Sequence, residues 1–490
     1  MSVLSYARFM LGITAVSLPI LSTAADSANS IVPKADATTT LATENIPQDL
    51  RHAVQEIPAT EAGNDDRPVC IALLMPSDNS PFLAAAKIVE NGLLAANHAE
   101  NNKASILLIE SPEQLSIDEQ IDAAIYAGAD VIVGPLQKDK VEELAQKTDL
   151  IIPTVALNVS KVKDMASTNL LMLSISMEDE ARQLAEKAVA GLFPTEKGER
   201  PKVIVLKSED PWAAKLALIY EEVLRHHQIE YSTETVTIDT LTDLKTKLEP
   251  ELSTKDQEYF KTLYKELKEE TDAKKIKFKK RQIHNELRTH IAETEPPYQS
   301  ALLAMDATMA SLVRNRLHVR MGVWATSTTN PGDTESSPTA KALAYDLNEL
   351  RFVESPLVLN YDAESFTAKF GMEIPYTLPA KRLFALGADA YTIANIWASA
   401  KPRFEVIGET GSLSVDRAMT PDVLRTPVTA IINNGSVVHP APELPVVALP
   451  EPNEEVIAAT EETTNLPPVS ATHDTSVADT NILPQLPTYR

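Results

Sequence analysis

Val69-Cys70-Ile71-Ala72-Leu73-Leu74-Met75-Pro76 is an unbroken apolar run of strand length, closed by a proline. A strand with no polar alternation is buried on both faces, as in a parallel sheet covered by helices. The residues that follow complete that picture. A helical pattern over 83–98 carries Ala, Val and Leu on one face. A second strand is expected at 104–109, a helix at 117–127, a strand at 131–133 closing on Gly134-Pro135, a helix at 138–147 and a strand at 151–156. Continuous apolar strands alternating with amphipathic helices are the pattern of a doubly wound parallel sheet.

The rhythm then resumes. Strands are expected at 170–174, 203–206, 300–305 and 321–325, and helices at 178–191, 212–227 and 307–317. This series is too long for one small sheet. The predicted fold class is α/β, with two doubly wound parallel-sheet lobes, a hinge, a charged helical insert and disordered termini. The lobes span 67–439. The insert covers 246–294, where Phe260, Leu263, Tyr264 and Leu267 share a helical face ahead of the basic run Lys274-Lys275-Ile276-Lys277-Phe278-Lys279-Lys280-Arg281. That run is expected either as a solvated face or as a docking site for an acidic partner or an anionic polymer such as cell-wall material.

The ends differ in composition. Residues 1–25 have the form of a signal peptide, with Arg8, an apolar stretch over 9–21 and the small residues Ser22-Thr23-Ala24-Ala25. Export to the periplasm is expected, without a lipobox cysteine. An uncleaved leader is the alternative, and no membrane span is expected after cleavage. Residues 26–66 read as a disordered linker and 440–490 as a disordered Pro/Thr-rich tail.

Composition narrows the function. With 45 Lys plus Arg against 69 Asp plus Glu, the formal net charge is −24, which argues against nucleic acid as a partner. The single cysteine, Cys70, excludes a disulfide within the chain and reads as a small buried hydrophobe. No Gly-x-Ser-x-Gly elbow, P-loop or Gly-x-Gly-x-x-Gly occurs, and the nine histidines are scattered without metal-ligand spacing. No catalytic residue, metal or cofactor is therefore expected. In open α/β sheets ligands sit outside the carboxyl ends of the strands. The polar loops there make Ser77, Ser160, Asp210 and Ser327 the candidate contacts for a small-molecule ligand.

Several segments also resemble a known family. Ile71 to Pro76, Ala84-Ala85-Ala86 and Asn91 to Ala96 look like the opening of type I periplasmic binding proteins of the Leu/Ile/Val-binding kind, and Val131 to Leu136 looks like that family's third strand and turn. Arg351-Phe352-Val353-Glu354-Ser355-Pro356, the stretch Arg382 to Tyr391 and Gly408 to Asp416 are similar to the penicillin-binding-protein activator lipoproteins. That resemblance implies a non-enzymatic envelope regulator whose partner is a peptidoglycan synthase. The alternative is a solute receptor of an ABC-type transporter for amino acids. A receptor would want a hydroxyl where Gly134-Pro135-Leu136 supplies an apolar side chain, which favours the regulator.

Overall fold

The structure is a computed structural model and describes residues 47, 53–59, 67–110, 115–147, 150–162, 167–192, 198, 200–360, 362–375 and 377–440. The expected leader and all of the expected tail except Pro440 lie outside the described residues.

The first lobe is built on β1 (Val54–Ile57), β2 (Cys70–Leu74), α1 (Leu83–Ala99), β3 (Ser105–Ile109), α2 (Ile117–Tyr126), β4 (Val131–Val133), α3 (Lys138–Ala145), β5 (Thr154–Ala156) and β6 (Leu170–Met172). Its strands lie in the order β1-β3-β2-β4-β5-β6, all parallel except β1. The opening run is buried on both faces. Ile71 and Leu73 point into a core with Val89 and Leu93 of α1, whereas Cys70, Ala72 and Leu74 meet Ile117, Ile121, Val141 and Leu144 of α2 and α3. A capping box starts α2: the Glu119 N–H donates to Ser116 Oγ at 3.2 Å, and the Ser116 N–H donates to the Glu119 carboxylate at 2.8 Å.

The second lobe begins with α4 (Met177–Ala190), β7 (Lys202–Lys207), α5 (Pro211–His226), β8 (Glu230–Thr235) and α6 (Leu241–Leu248). The charged segment follows as two helices, α7 (Thr254–Glu269) and α8 (Ala273–Glu293). The sheet resumes with β9 (Ser300–Ala304), α9 (Ala307–Arg314), β10 (Gly322–Ala325), α10 (Pro338–Asp346) and β11 (Leu350–Glu354). The chain then returns to the first lobe through α11 (Pro356–Leu359), α12 (Ala363–Phe370) and α13 (Leu378–Trp397). It forms a small antiparallel sheet of β12 (Arg403–Ile407), β13 (Ser412–Asp416) and β14 (Leu424–Thr426), and ends on the second lobe with the hairpin β15 (Val428–Asn433) and β16 (Ser436–Val438). The second sheet runs β16-β15-β11-β10-β9-β7-β8, parallel from β11 to β8 and antiparallel at β15 and β16.

The chain thus passes between the lobes three times: after β6, after β11 and between β14 and β15. The parallel strands of both lobes follow the same winding, with the switch point beside β2 in one and β7 in the other. One expectation at the edge is corrected. Val54–Ile57, placed by sequence in a disordered linker, pairs antiparallel with β3. Val54 and Ile57 pack onto opposite faces of the sheet, and this anchors a segment whose middle residues, Gln55 and Glu56, are exposed and read as linker.

The crossing of α1 and α13 explains why one recognisable stretch reads Leu-Gly-Ala. A Cβ at Gly387 would land on the backbone of Val89, and a Cβ at Gly92 on the carbonyl of Phe384. Each helix therefore has a glycine where the other's backbone arrives. Gly387→Val forces the helices apart and is expected to cost about 2 kcal/mol or more of stability, read as a lowered midpoint in chemical denaturation. An unchanged midpoint would show that the crossing is not this close.

Candidate functional site

Where the lobes meet, two arginines from the first lobe reach carboxylates of the second. Arg425, on β14, donates to Glu180 Oε1 of α4 at 2.9 Å, and the two side chains are only 3% and 4% exposed. Arg382, on α13, grips Glu354 at the end of β11 in a fork: Nε to Oε1 at 2.9 Å and Nη2 to Oε2 at 2.6 Å. Burial alone would lower the Arg382 guanidinium, but the Glu354 charge and hydrogen bonds outweigh it and hold it above its ordinary value.

The two pairs join through Ser327. Its N–H donates to Glu180 Oε2 at 3.2 Å and its carbonyl accepts from Arg382 Nη2 at 2.9 Å. Glu354 is completed by Asn330 Nδ2 at 2.7 Å and the Ser355 N–H at 2.9 Å. On the other side Arg425 donates to the Thr410 carbonyl at 3.3 Å, and Asp389 of α13 accepts from the Glu409 N–H, the Thr410 N–H and Thr410 Oγ1. A continuous polar chain therefore runs from Asp389 through Thr410, Arg425, Glu180, Ser327 and Arg382 to Glu354 and Asn330. Buried charges persist only when paired and hydrogen-bonded, and here the partners come from opposite lobes.

Beside this chain lies a cavity of about 700 Å³, lined by the 157–161 loop, the start of α4 and residues 420–425. Its walls mix Leu136, Leu383 and Val423 with Arg182, Asp179 and Asp422. Burial pushes both carboxyl groups up, and Asp422 adds to the rise at Asp179. Among the described residues, no group of three or more His, Cys, Asp or Glu could hold a metal ion.

The four residues expected from sequence follow β2, β5, β7 and β10, and the structure does not gather them. Ser160 lines the cavity; its Oγ accepts from the Val162 N–H at 3.1 Å. Ser77 closes a turn, its carbonyl accepting from the Ser80 N–H at 2.8 Å. Asp210 precedes α5 without capping it and accepts from Ser208 Oγ at 2.7 Å. Ser327 is buried and uses its backbone within the ion-pair chain. Neither Ser77, Asp210 nor Ser327 lines the cavity. Sequence reasoning passed over Glu180, Glu354, Arg382, Asp389 and Arg425. The available signal was charge inside apolar context: Glu354 closes Arg-Phe-Val, and Asp389 interrupts an alanine-rich helix.

A two-lobed α/β body with three crossovers is the architecture of periplasmic-binding-protein-like domains. It is similar to the structure of a putative branched-chain amino acid ABC transporter from Chromobacterium violaceum, at 21% identity and a TM-score of 0.53, covering 74% of this chain and 99% of that one. It is similar too to the C-domain of LpoA (YraM) from Haemophilus influenzae, described as a regulator of PBP1A, at 16% identity and a TM-score of 0.51, covering 75% and 99%. Against full-length LpoA from the same organism the TM-score is 0.52 at 16% identity, and the chain spans 59% of that protein. At these identities the likeness shows the fold. Over residues 49–210, from ahead of β1 to the start of α5, the chain matches the family described as LppC putative lipoprotein. No curated protein sequence matches the chain.

Removing one partner of a buried pair strands the other's charge. Arg425→Ala is expected to cost about 3–5 kcal/mol, measured by urea denaturation, and a loss below about 1 kcal/mol would mean the pair is not desolvated. Burial also lifts the Asp389 carboxyl to about 6, against the pull of its Thr410 and Glu409 donors. A carboxyl raised on folding holds its proton in the native state. Its contribution to stability is therefore present below the unfolded value near ~4 and lost as pH rises through about 6. Asp389→Asn should flatten the pH profile of stability across that window; an unchanged slope would count against the assignment.

Proposed function

We propose that this protein is a non-enzymatic regulator of a peptidoglycan synthase in the cell envelope, acting through outer surfaces of a two-lobed body rather than by carrying a solute. The observation that carries this reading is the ion-pair chain. A receptor of this architecture must open and close its lobes around ligand, and here the junction is occupied by the protein's own Arg425–Glu180 and Arg382–Glu354 pairs. The LppC match and the shared fold with a domain described as a regulator of PBP1A support the same reading. So does the scatter of the expected ligand contacts, of which Ser160 alone reaches the cavity. Among the described residues no helix is long and apolar enough to cross a membrane.

The cavity of about 700 Å³ favours a second reading, a receptor for an amino acid or similar small acid, with Ser160 as a contact.

The test has two arms. The purified protein is added to a penicillin-binding protein from the same organism, and glycan polymerisation and peptide cross-linking are followed; a several-fold stimulation is expected, since coupling of this kind is typically 5- to 150-fold at about 1–3 kcal/mol. In parallel, its melting temperature is measured with amino acids in large excess, and no shift is expected. A saturable shift that Ser160→Ala abolishes, with no effect on any synthase, would overturn the regulator in favour of the receptor.

A further inference from the structure

The helical hairpin α7–α8 takes no part in the junction of the lobes. Phe260 and Ile283 are buried, the Phe260 ring meets His290 edge-on across the hairpin at 5.3 Å, and Tyr259 Oη donates to Glu286 at 2.6 Å. It is tied to the body at its base: His318 Nε2 lies 2.7 Å from the Ile291 carbonyl, and Arg320 donates to the Glu293 carbonyl at 2.9 Å. At about 1.5 Å of rise per residue, the start of α8 stands roughly 25 Å from that base.

Six cations occupy the eight residues 274–281, with no acid among them. Lys279 faces Glu270 at 3.5 Å, and the charges of both Lys275 and Lys279 act on that carboxylate; Lys274, Lys277, Lys280 and Arg281 are exposed, with no ion pair among the described residues. Phe278 is 71% exposed on a flank of α8. Helical spacing places Lys274, Lys275 and Arg281 around its ring, at three and four residues' distance. The first turn of α8 carries no acidic residue, although the positive end of a helix favours acids and disfavours cations. Asp272 offsets this only locally, accepting from the N–H groups of Lys274 and Lys275. Neither helix stability nor solubility calls for such a cluster around an exposed aromatic ring, in a chain whose net charge is −24.

We infer that the outer face of α8, centred on Phe278, is a docking surface for an anionic phospholipid membrane. The face is convex, so it fits a broad charged plane better than it grips an extended peptide. Lysine and arginine draw it to acidic headgroups, and the phenyl ring enters the interface between headgroup and acyl chain. The body's negative charge does not prevent this, because a reach of roughly 25 Å exceeds the screening length of about 8 Å at physiological salt. This surface is separate from the junction of the lobes and does not depend on the partner proposed above.

The test is co-sedimentation of the full chain with vesicles of phosphatidylcholine alone or with about one third phosphatidylglycerol. Binding is expected only with phosphatidylglycerol, and it should fall at least tenfold in about 0.5 M salt. The variant Lys274→Glu/Lys275→Glu/Lys277→Glu/Arg281→Glu should lose binding by tenfold or more. It should melt no lower than the parent, because acids suit the helix start. Phe278→Ala, which leaves the charge intact, should bind several-fold more weakly. Failure of the parent to bind, equal binding by the charge-reversed variant, or full binding by Phe278→Ala would overturn the inference. Patch-dependent capture of polyglutamate without vesicle binding would overturn it in favour of an acidic polypeptide.

Discussion

A guanidinium removed from water must be met by carboxylate and carbonyl oxygens, and in this fold the nearest oxygens for Arg425 and Arg382 belong to the other lobe. Everything at the junction follows from that requirement. Glu180 sits in the first turn of α4, next to Asp179, whose N–H donates to the capping Ser176 Oγ. Glu354 sits where β11 ends, held by the Ser355 N–H before the chain crosses back. Both carboxylates therefore stand at crossovers, so each pair joins a lobe to the segment entering or leaving it. Dissolving one pair would leave a charge in a dry place. The closed arrangement is thus enforced by the cost of separation more than by the gain from contact.

The pairs also define what the surrounding elements are for. Asp389 holds the turn of the small antiparallel sheet by its Glu409 and Thr410 donors, and that turn presents a carbonyl to Arg425. Gly408 lies directly against the Asp389 carboxylate, where a side chain would collide. Gly92 and Gly387 let α1 and α13 cross closely, which sets the position of Arg382 on the same helix. Stretches that resemble a family in sequence are thus the ones that aim the arginines.

Much of the fold was legible because buried parallel strands are written as unbroken apolar runs. Ile71 to Leu74, Val131 to Val133 and Ala301 to Ala304 leave no other reading once helices separate them. β8 was not visible, since an edge strand reading Glu-Tyr-Ser-Thr-Glu-Thr is half exposed and carries no apolar alternation. β1 was hidden for the same reason. The hairpin β15–β16 carried a local signal in Asn434-Gly435, both at positive φ, which suits the tight turn between two strands. The site was barely legible. Strand ends could be located, but which loops converge depends on how two lobes pack. Glu180 and Arg425, 245 residues apart, meet only because the chain crosses back to the first lobe after β11.

The claim that the lobes are locked together can be measured as a distance. Spin labels at Tyr126→Cys on α2 and Leu218→Cys on α5 place one exposed probe on each lobe. Cys70 is buried and its thiol is pushed up to about 12, so it stays unlabelled. One narrow distance is expected from pulsed electron resonance, unchanged by saturating leucine and broadened when Arg425→Ala is introduced. Two populations in the parent chain, or a shift on adding leucine, would contradict the lock and restore a receptor that closes on its ligand.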